Sequence, residues 1–309
     1  MPSDLLDKAQ GCLLGLACGD YLGVPVEFEN NPKRIVEFFG SKTVCPIPNT
    51  GSRDPRKIPG YYSDDTSMAI CLAESLINNG FNVQDQFQRY LDWMNKGYAT
   101  PDSGHAFGIG IRTMKILISS DINNLPQELK NNEDYGSNGA LMRIAPLAIR
   151  YWQDKKLPDY VLRASIITHN NIESYWSCLV LCKFIAYSLT DIDRSNFVKL
   201  FLEEFGNDIP GSIINILESK PSETELFQIP TTGYVLNTLK IALFSFFLSK
   251  DFETAITKAI YVGGDTDTQG AVTGALAGAY WGKTGIPNSW VDTLIRNDYI
   301  ATLGYKLTN

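Results

Sequence analysis

The sequence predicts an all-α protein, and three observations carry that reading. Apolar residues recur at three- and four-residue steps through most of the chain, no run sustains period-two alternation, and two glycine stripes of four-residue spacing sit inside helical stretches. The 309 residues are 44% hydrophobic and 20% charged, an ordinary globular balance that excludes disorder. A chain of this length buries enough surface to need no staples. We read residues 1–309 as one domain, a compact orthogonal helix bundle, because no stretch resembles a disordered linker and no internal repeat appears.

The first helical pattern is Leu5, Leu6, Ala9, Leu13 and Leu16, the spacing of one buried face. Residues 68–77 repeat it through Met68, Cys71, Leu72 and Leu76, and the runs 87–94, 109–118, 161–167, 175–189 and 234–248 follow. Residues 255–262 and 270–281 complete the set. Residues 29–62 carry five prolines and three glycines and read as a long ordered loop, a feature that is commonly functional in compact domains. Residues 208–229 mix Pro210, Gly211 and Pro221 with a short helical stretch.

Charge and cysteine usage narrow the function. With 27 Lys+Arg against 34 Asp+Glu the net charge is −7, which argues against a nucleic-acid partner. An acidic protein can still hold a nucleotide-like ligand where a metal ion or backbone amides meet its phosphates. The six cysteines form no C-x-x-C, and Cys178 and Cys182 lack a nearby His, so buried reduced thiols are expected rather than zinc. Asp4 and Asp7 precede any apolar run, unlike a signal peptide. The charge-free stretch 268–282 falls short of the ~20 apolar residues of a membrane span. The expectation is a soluble, cytoplasmic protein, with nothing that demands more than a monomer.

Gly11, Gly15 and Gly19 form one stripe, and Gly270, Gly274 and Gly278 the other. Each interior helical glycine costs about 1 kcal/mol relative to alanine, so three on one face indicate close backbone approach. The stripes pack at short range inside the core, either on each other or each on another helix. Both end in acids: Asp20 follows the first, while Asp265 and Asp267 precede the second. Antiparallel contact would gather carboxylates from opposite ends of the sequence.

Two acidic clusters open helices. Ser63, Asp64, Asp65 and Thr66 follow the aromatic pair Tyr61 and Tyr62; Gly263 and Gly264 precede Asp265, Thr266, Asp267 and Thr268. Helix capping accounts for one or two of these residues, but not for paired acids flanked by hydroxyls. Asp and Thr oxygens are hard ligands suited to Mg²⁺ or Mn²⁺. Four Asp at two helix starts would repel one another unless cations bridge them.

Residues 11–28 (GCLLGLACGDYLGVPVEF), 63–68 (SDDTSM), 138–146 (NGALMRIAP) and 263–282 (GGDTDTQGAVTGALAGAYWG) resemble the ADP-ribosylglycohydrolase family, in order and over nearly the whole chain. The resemblance implies a metal-bearing cleft with two divalent cations, Mg²⁺ or Mn²⁺, held by Ser63, Asp64, Asp65, Asp265, Asp267 and Thr268. It implies a hydrolase that cleaves the glycosidic bond between ADP-ribose and an acceptor, either an ADP-ribosylated protein side chain such as arginine or serine, or a small ADP-ribose conjugate. Glu27 matches the family glutamate near the scissile bond and, with Asp64, is the expected catalytic pair. Asp20, Gly108, Gly136, Ser137, Asn138, Gly139, His169 and Tyr234 are the substrate contacts it implies. Gly108 stands where some members carry an Asp, which shifts the base role toward Glu27. The 136–139 turn is expected to present backbone amides to the diphosphate, and His169 to bond or stack with the adenosine end. Arg143 beside that turn reads equally as a structural ion pair.

Competing readings are weaker. Asp265 to Thr268 matches the D-x-D-x-T of haloacid-dehalogenase phosphatases, but lies only 41 residues from the end and follows Gly-Gly rather than a buried strand. The D-D-x-x-D of terpene synthases fails at Met68. The non-enzyme alternative is a catalytically inactive ADP-ribose-binding or structural relative of the same fold.

Overall fold

The computed structural model describes residues 3–130, 136–190 and 192–309. Its α-helices run in chain order as α1 (Ser3–Gly23), α2 (Pro32–Phe39), α3 (Asp64–Asn79), α4 (Val83–Lys96), α5 (Ile111–Ser119), α6 (Ala145–Arg150), α7 (Leu157–Ile166) and α8 (Ile172–Ser188). The second half adds α9 (Phe197–Phe205), α10 (Gly211–Glu218), α11 (Glu223–Leu226), α12 (Val235–Phe247), α13 (Phe252–Tyr261), α14 (Thr266–Trp281), α15 (Asn288–Thr293) and α16 (Asn297–Leu307). The all-α expectation holds: among the described residues the β pairing is one isolated bridge, Ser137 with Tyr234.

α1 and α14 form the central pair, and the two glycine stripes meet each other. Gly11, Gly15 and Gly19 face Gly278, Gly274 and Gly270 in reverse order, so the helices are antiparallel. A Cβ added to any of the six would fall within 3.0 Å of a carbonyl oxygen of the facing backbone. The contact continues to Gly23, which abuts Thr266 and Asp267. α14 is buried from Thr266 to Ala279 and packs also on α8, α12 and α13. A helix enclosed on all sides shows little amphipathic stripe. Close dispersion contact along the pair offsets the propensity lost at the glycines.

Residues 29–62 are more ordered than a loop. α2 lies within them, with Pro32 in its first turn, the Asn31 side chain accepting from Lys33 N–H, and Gly40 closing it at φ 60°. Only Ile35 of α2 is buried, so its apolar face is too narrow to give a periodic signal among the prolines. The periodicity also missed α9 and α16; α16 covers a flank of α1. Residues 208–229 hold the short helices α10 and α11.

All six cysteines are free and Cys12, Cys18, Cys71, Cys178 and Cys182 are buried, where desolvation pushes their thiols up. Among the described residues no helix is long and apolar enough to cross a membrane.

Candidate active site

The glycine contact delivers acids to one end of the α1–α14 pair. Asp20 lies one residue beyond Gly19, and Asp267 three before Gly270. α3 begins at the same place, bringing Asp64 and Asp65 in its first turn. Carboxylate oxygens of Asp20, Asp65 and Asp267 lie within 4.8 Å of one another, a grouping that could hold a metal ion. Asp20 is fully buried and accepts from the amides of Ser63 (3.0 Å) and Thr66 (3.0 Å) and from the Thr66 hydroxyl (2.6 Å). It caps α3 from another helix. It belongs to the acidic floor and is not among the residues that line the cleft.

The floor is electrostatically unsatisfied. Burial raises Asp20 to about 6 against the hydrogen bonds that lower it. Burial first, and neighbouring carboxylates second, raise Asp64, Asp65 and Asp267 well above the ordinary carboxylate range. The Ser63 hydroxyl donates to Asp65 Oδ2 at 2.9 Å, yet Asp65 Oδ1 is buried with no hydrogen-bond partner. Thr268 N–H donates to Asp267 Oδ1 (2.9 Å), and Asn138 Nδ2 donates to Asp265 Oδ2 (2.7 Å) and Thr238 (3.0 Å). An orphaned carboxylate oxygen crowded by further hard oxygens fits a divalent cation.

Above the acids opens a cleft of about 240 Å³, lined by Glu27, Phe28, Asp64, Gly108, Arg112, Ser137, Asn138, Gly139, Gly233, Asp265, Asp267 and Thr268 among others. Roomier hollows of about 490 Å³ beside α2 and about 310 Å³ between α9 and α12 carry no comparable cluster. Glu27 enters from the turn after α1. Phe28 N–H donates to Gly264 carbonyl (2.7 Å) and Gly264 N–H to Glu29 carbonyl (2.8 Å), which ties the glutamate to the Gly263–Gly264 turn. Both glycines have positive φ, and a Cβ on Gly264 would collide with Thr231. Arg56 Nη2 donates to Glu27 Oε2 at 3.2 Å, while the cation sits 5.3 Å over the Phe107 ring. Burial raises Glu27, and Arg56 opposes that rise. Gly108 adopts φ 87°, and a Cβ there would press on Asp64 Oδ1 and Ser63 Cβ, so a side chain at this position would be strained.

The opposite wall departs from its expected detail. Asn138 N–H is spent on the Gly233 carbonyl (3.0 Å), and the Gly136 carbonyl accepts from Val235 (3.0 Å), so the turn is clasped to the start of α12. His169 is fully buried behind Ser137 and Gly139 and is not among the residues that line the cleft. Tyr234 stands exposed beside Gly233, its hydroxyl donating to Glu173, and does not line the cleft. Arg143 makes no ion pair among the described residues; it is buried with the Tyr90 ring 4.7 Å away. Sequence reasoning missed Phe28 and Arg112. Phe28 is 66% exposed at φ 66°, and its place directly after Glu27 was the available signal. Arg112 sits in a run whose helical pattern masked it.

An all-α frame with an acid-floored cleft, a carboxylate on one rim and hydroxyl and arginine groups on the other, suits a hydrolase of glycosyl bonds, the class in which comparison with known proteins places it. The profile of the ADP-ribosylglycohydrolase family matches residues 1–309, and the chain belongs to that family. The ADP-ribosylarginine hydrolase Tri1 of Serratia proteamaculans is 31% identical, over 99% of this chain and 80% of its own. The ADP-ribosyl-[dinitrogen reductase] glycohydrolase of Rhodospirillum rubrum is 29% identical, over 93% and 90%. A solved structure, titled ADP-ribosylglycohydrolase-related protein complex, superposes with a TM-score of 0.78 at 31% identity, covering 99% of this chain and 98% of that one.

Proposed function

We propose that this enzyme cleaves the glycosidic bond joining ADP-ribose to its acceptor with two divalent cations, Mg²⁺ or Mn²⁺, and that ADP-ribosylarginine is its preferred class of acceptor. The observation that carries the reading is the convergence of Asp20, Asp65 and Asp267, from three helices, beneath the cleft. Ser63, Asp64, Asp65, Asp265, Asp267 and Thr268 would hold the cations with Asp20 beneath them. Bound there, the cations neutralise the acids and orient the ribose hydroxyls.

The chain's own groups supply the rest. Arg56 occupies Glu27 Oε2 and leaves Oε1 to take a proton from water or give one to the leaving group. Asp64 lines the cleft and opposes the positive charge that develops on the ribose as the bond breaks. A guanidinium acceptor is itself cationic and suits a wall carrying Glu27, Asp64 and Asp265, whereas serine offers those acids no charge. Two relatives at 31% and 30% identity, from Serratia proteamaculans and Pseudomonas putida, carry the name ADP-ribosylarginine hydrolase. The test incubates the protein with ADP-ribosyl-arginine and ADP-ribosyl-serine peptides, with Mg²⁺ and with EDTA. Release of ADP-ribose from the arginine peptide in Mg²⁺ alone is expected. Undiminished turnover in EDTA sinks the cation-dependent reading, and binding of ADP-ribose without release from either peptide favours an inactive relative.

A further inference from the structure

A chain of hydrogen bonds runs from a buried arginine to the cleft surface. Arg143 Nη2 donates to Thr168 Oγ1 at 2.6 Å, Thr168 Oγ1 lies 2.8 Å from His169 Nδ1, and His169 Nε2 lies 2.9 Å from Ser137 Oγ. Arg143 Nη1 also donates to the Gly139 carbonyl at 2.7 Å. Arg143, Thr168 and His169 are buried, and Ser137, half-buried, lines the cleft.

The proton directions follow from satisfaction. Arginine can only donate, so Thr168 Oγ1 accepts from it. Among the described residues the Thr168 hydroxyl proton then has one acceptor, His169 Nδ1. In the other tautomer, with Nδ1 protonated, that buried O–H would have none, a costly orphan. Nδ1 is therefore the acceptor and Nε2 carries the proton, donating to Ser137 Oγ. One lone pair of the Ser137 oxygen is thereby taken from behind, and its own proton turns outward. Burial and the Arg143 charge hold His169 well below its ordinary pKa, in agreement with a neutral ring. Gly139 makes room, because a Cβ there would strike the imidazole at 2.8 Å.

We propose that Arg143, Thr168 and His169 are positioning residues that fix the Ser137 hydroxyl as a dedicated hydrogen-bond donor to an anionic oxygen of the substrate, its diphosphate. Thus His169 acts through Ser137 and touches no ligand. Arg143 has a further role in this arrangement. Its Nε is buried without a partner and no carboxylate neutralises it among the described residues, so its charge adds positive potential behind the serine. This arrangement lets an acidic protein hold an anion on the wall facing its carboxylates.

The proposal rests on the ADP-ribose reading of the cleft, and the test separates the two. The chain has two histidines, so a long-range ¹⁵N–¹H spectrum of the imidazoles is readily assigned with a His105→Gln variant. It reads the His169 tautomer with no ligand present. An unprotonated Nδ1 and a protonated Nε2 are expected; a protonated Nδ1 overturns the relay. Calorimetry with free ADP-ribose in Mn²⁺ then compares variants. Ser137→Ala, at the cleft surface, is expected to weaken ADP-ribose binding about ten- to a hundredfold, the range for a hydrogen bond to a charged group, with Mn²⁺ affinity unchanged. Thr168→Val, which touches no ligand, is expected to disturb the His169 tautomer and to weaken ADP-ribose similarly. Thr168→Ser restores both, and the double variant with Ser137→Ala is no weaker than Ser137→Ala alone. Wild-type affinity in Ser137→Ala, or additive losses in the double variant, overturns the proposal; should Thr168→Val fail to fold, the tautomer and Ser137→Ala still decide it. No ADP-ribose binding by the unmodified protein would instead reject the functional reading, leaving the tautomer result standing.

Discussion

Gly19→Ala isolates the contact on which the site depends. Elsewhere in a helix this change adds about 1 kcal/mol of stability through propensity alone. Here the new methyl would lie within 3.0 Å of the Gly270 carbonyl oxygen and of neighbouring backbone, none of which can rotate away. Overpacking of a tight core costs about 1–3 kcal/mol, and rigid backbone on the facing helix puts this case at the upper end. The net loss is then about 2 kcal/mol. With an unfolding entropy of about 2.1 cal/mol/K per residue, 1 kcal/mol corresponds to about 1.5 °C in a chain of 309 residues. Differential scanning calorimetry should show Tm about 3 °C lower. Gly211→Ala, at the first residue of α10 with nothing within 4 Å of its added Cβ, is the control and should leave Tm unchanged or raise it. Position along the pair supplies a second readout. Gly19 adjoins Asp20, whereas Gly11 meets Gly278 at the far end. Gly11→Ala and Gly19→Ala should both lose stability, but only Gly19→Ala should weaken Mn²⁺ binding by calorimetric titration, by about tenfold, or about 1.4 kcal/mol. A higher Tm for Gly19→Ala, or equal loss of Mn²⁺ affinity in both variants, would refute the argument.

Three further outcomes follow from the site. Asp65→Asn removes one of the mutually repelling carboxylates, so it should lose at least about tenfold in Mn²⁺ affinity while the cation-free protein melts no lower; a large drop in cation-free Tm would contradict the electrostatic account. Glu27→Gln should cut kcat by about 10²–10⁴ with ADP-ribose affinity nearly kept, and single-turnover assays that show unchanged chemistry would remove Glu27 from the proton step. Cation-free stability should depend on pH with an inverted sign. Because burial raises Asp20 to about 6, and Asp64, Asp65 and Asp267 also upward, the folded chain retains protons that the unfolded chain has released. Their contribution is complete below about pH 4 and is lost as pH rises through the folded values. Tm in EDTA should therefore fall from pH 5 to pH 7 relative to its course in saturating Mg²⁺, and parallel curves would count against it.

The glycine stripes made the central pair legible, because a repeated sacrifice of helix propensity has few explanations other than close backbone approach. They left open which helix faced which, and the acids at their ends suggested the answer. The same reasoning could not find α2, whose single buried Ile35 gives no periodicity, or α9 and α16. The gathering of acids was legible where residue chemistry alone pointed to it, as for Asp65 and Asp267, whose carboxylates meet that of Asp20. Residue roles were obscured where a side chain acts through another. Asp20 carries the composition of a ligand contact but spends its oxygens on the first turn of α3. His169 looks like a ligand group and lies one residue too deep.

The two walls of the cleft solve one electrostatic problem by opposite means. Asp20, Asp65 and Asp267 are buried acids whose repulsion is left standing in the folded chain; the α1–α14 backbone contact holds Asp20 near Asp267, and the hydrogen bonds from the start of α3 to Asp20 bring Asp65 to them. On the other side Arg143 is a buried cation with no counterion among the described residues, and a chain of neutral groups links it to the cleft. A ligand with an anionic end and a hydroxylated sugar satisfies both, provided that cations occupy the acids. ADP-ribose has that polarity along its length. The proposed function then implies an order of binding, cations first, because an anion entering a cleft with uncompensated carboxylates would meet their repulsion before it met Ser137. Removing the cations should therefore weaken ADP-ribose binding far more than Ser137→Ala does, and comparing both losses by calorimetry measures how much of the anion's affinity depends on neutralising the floor.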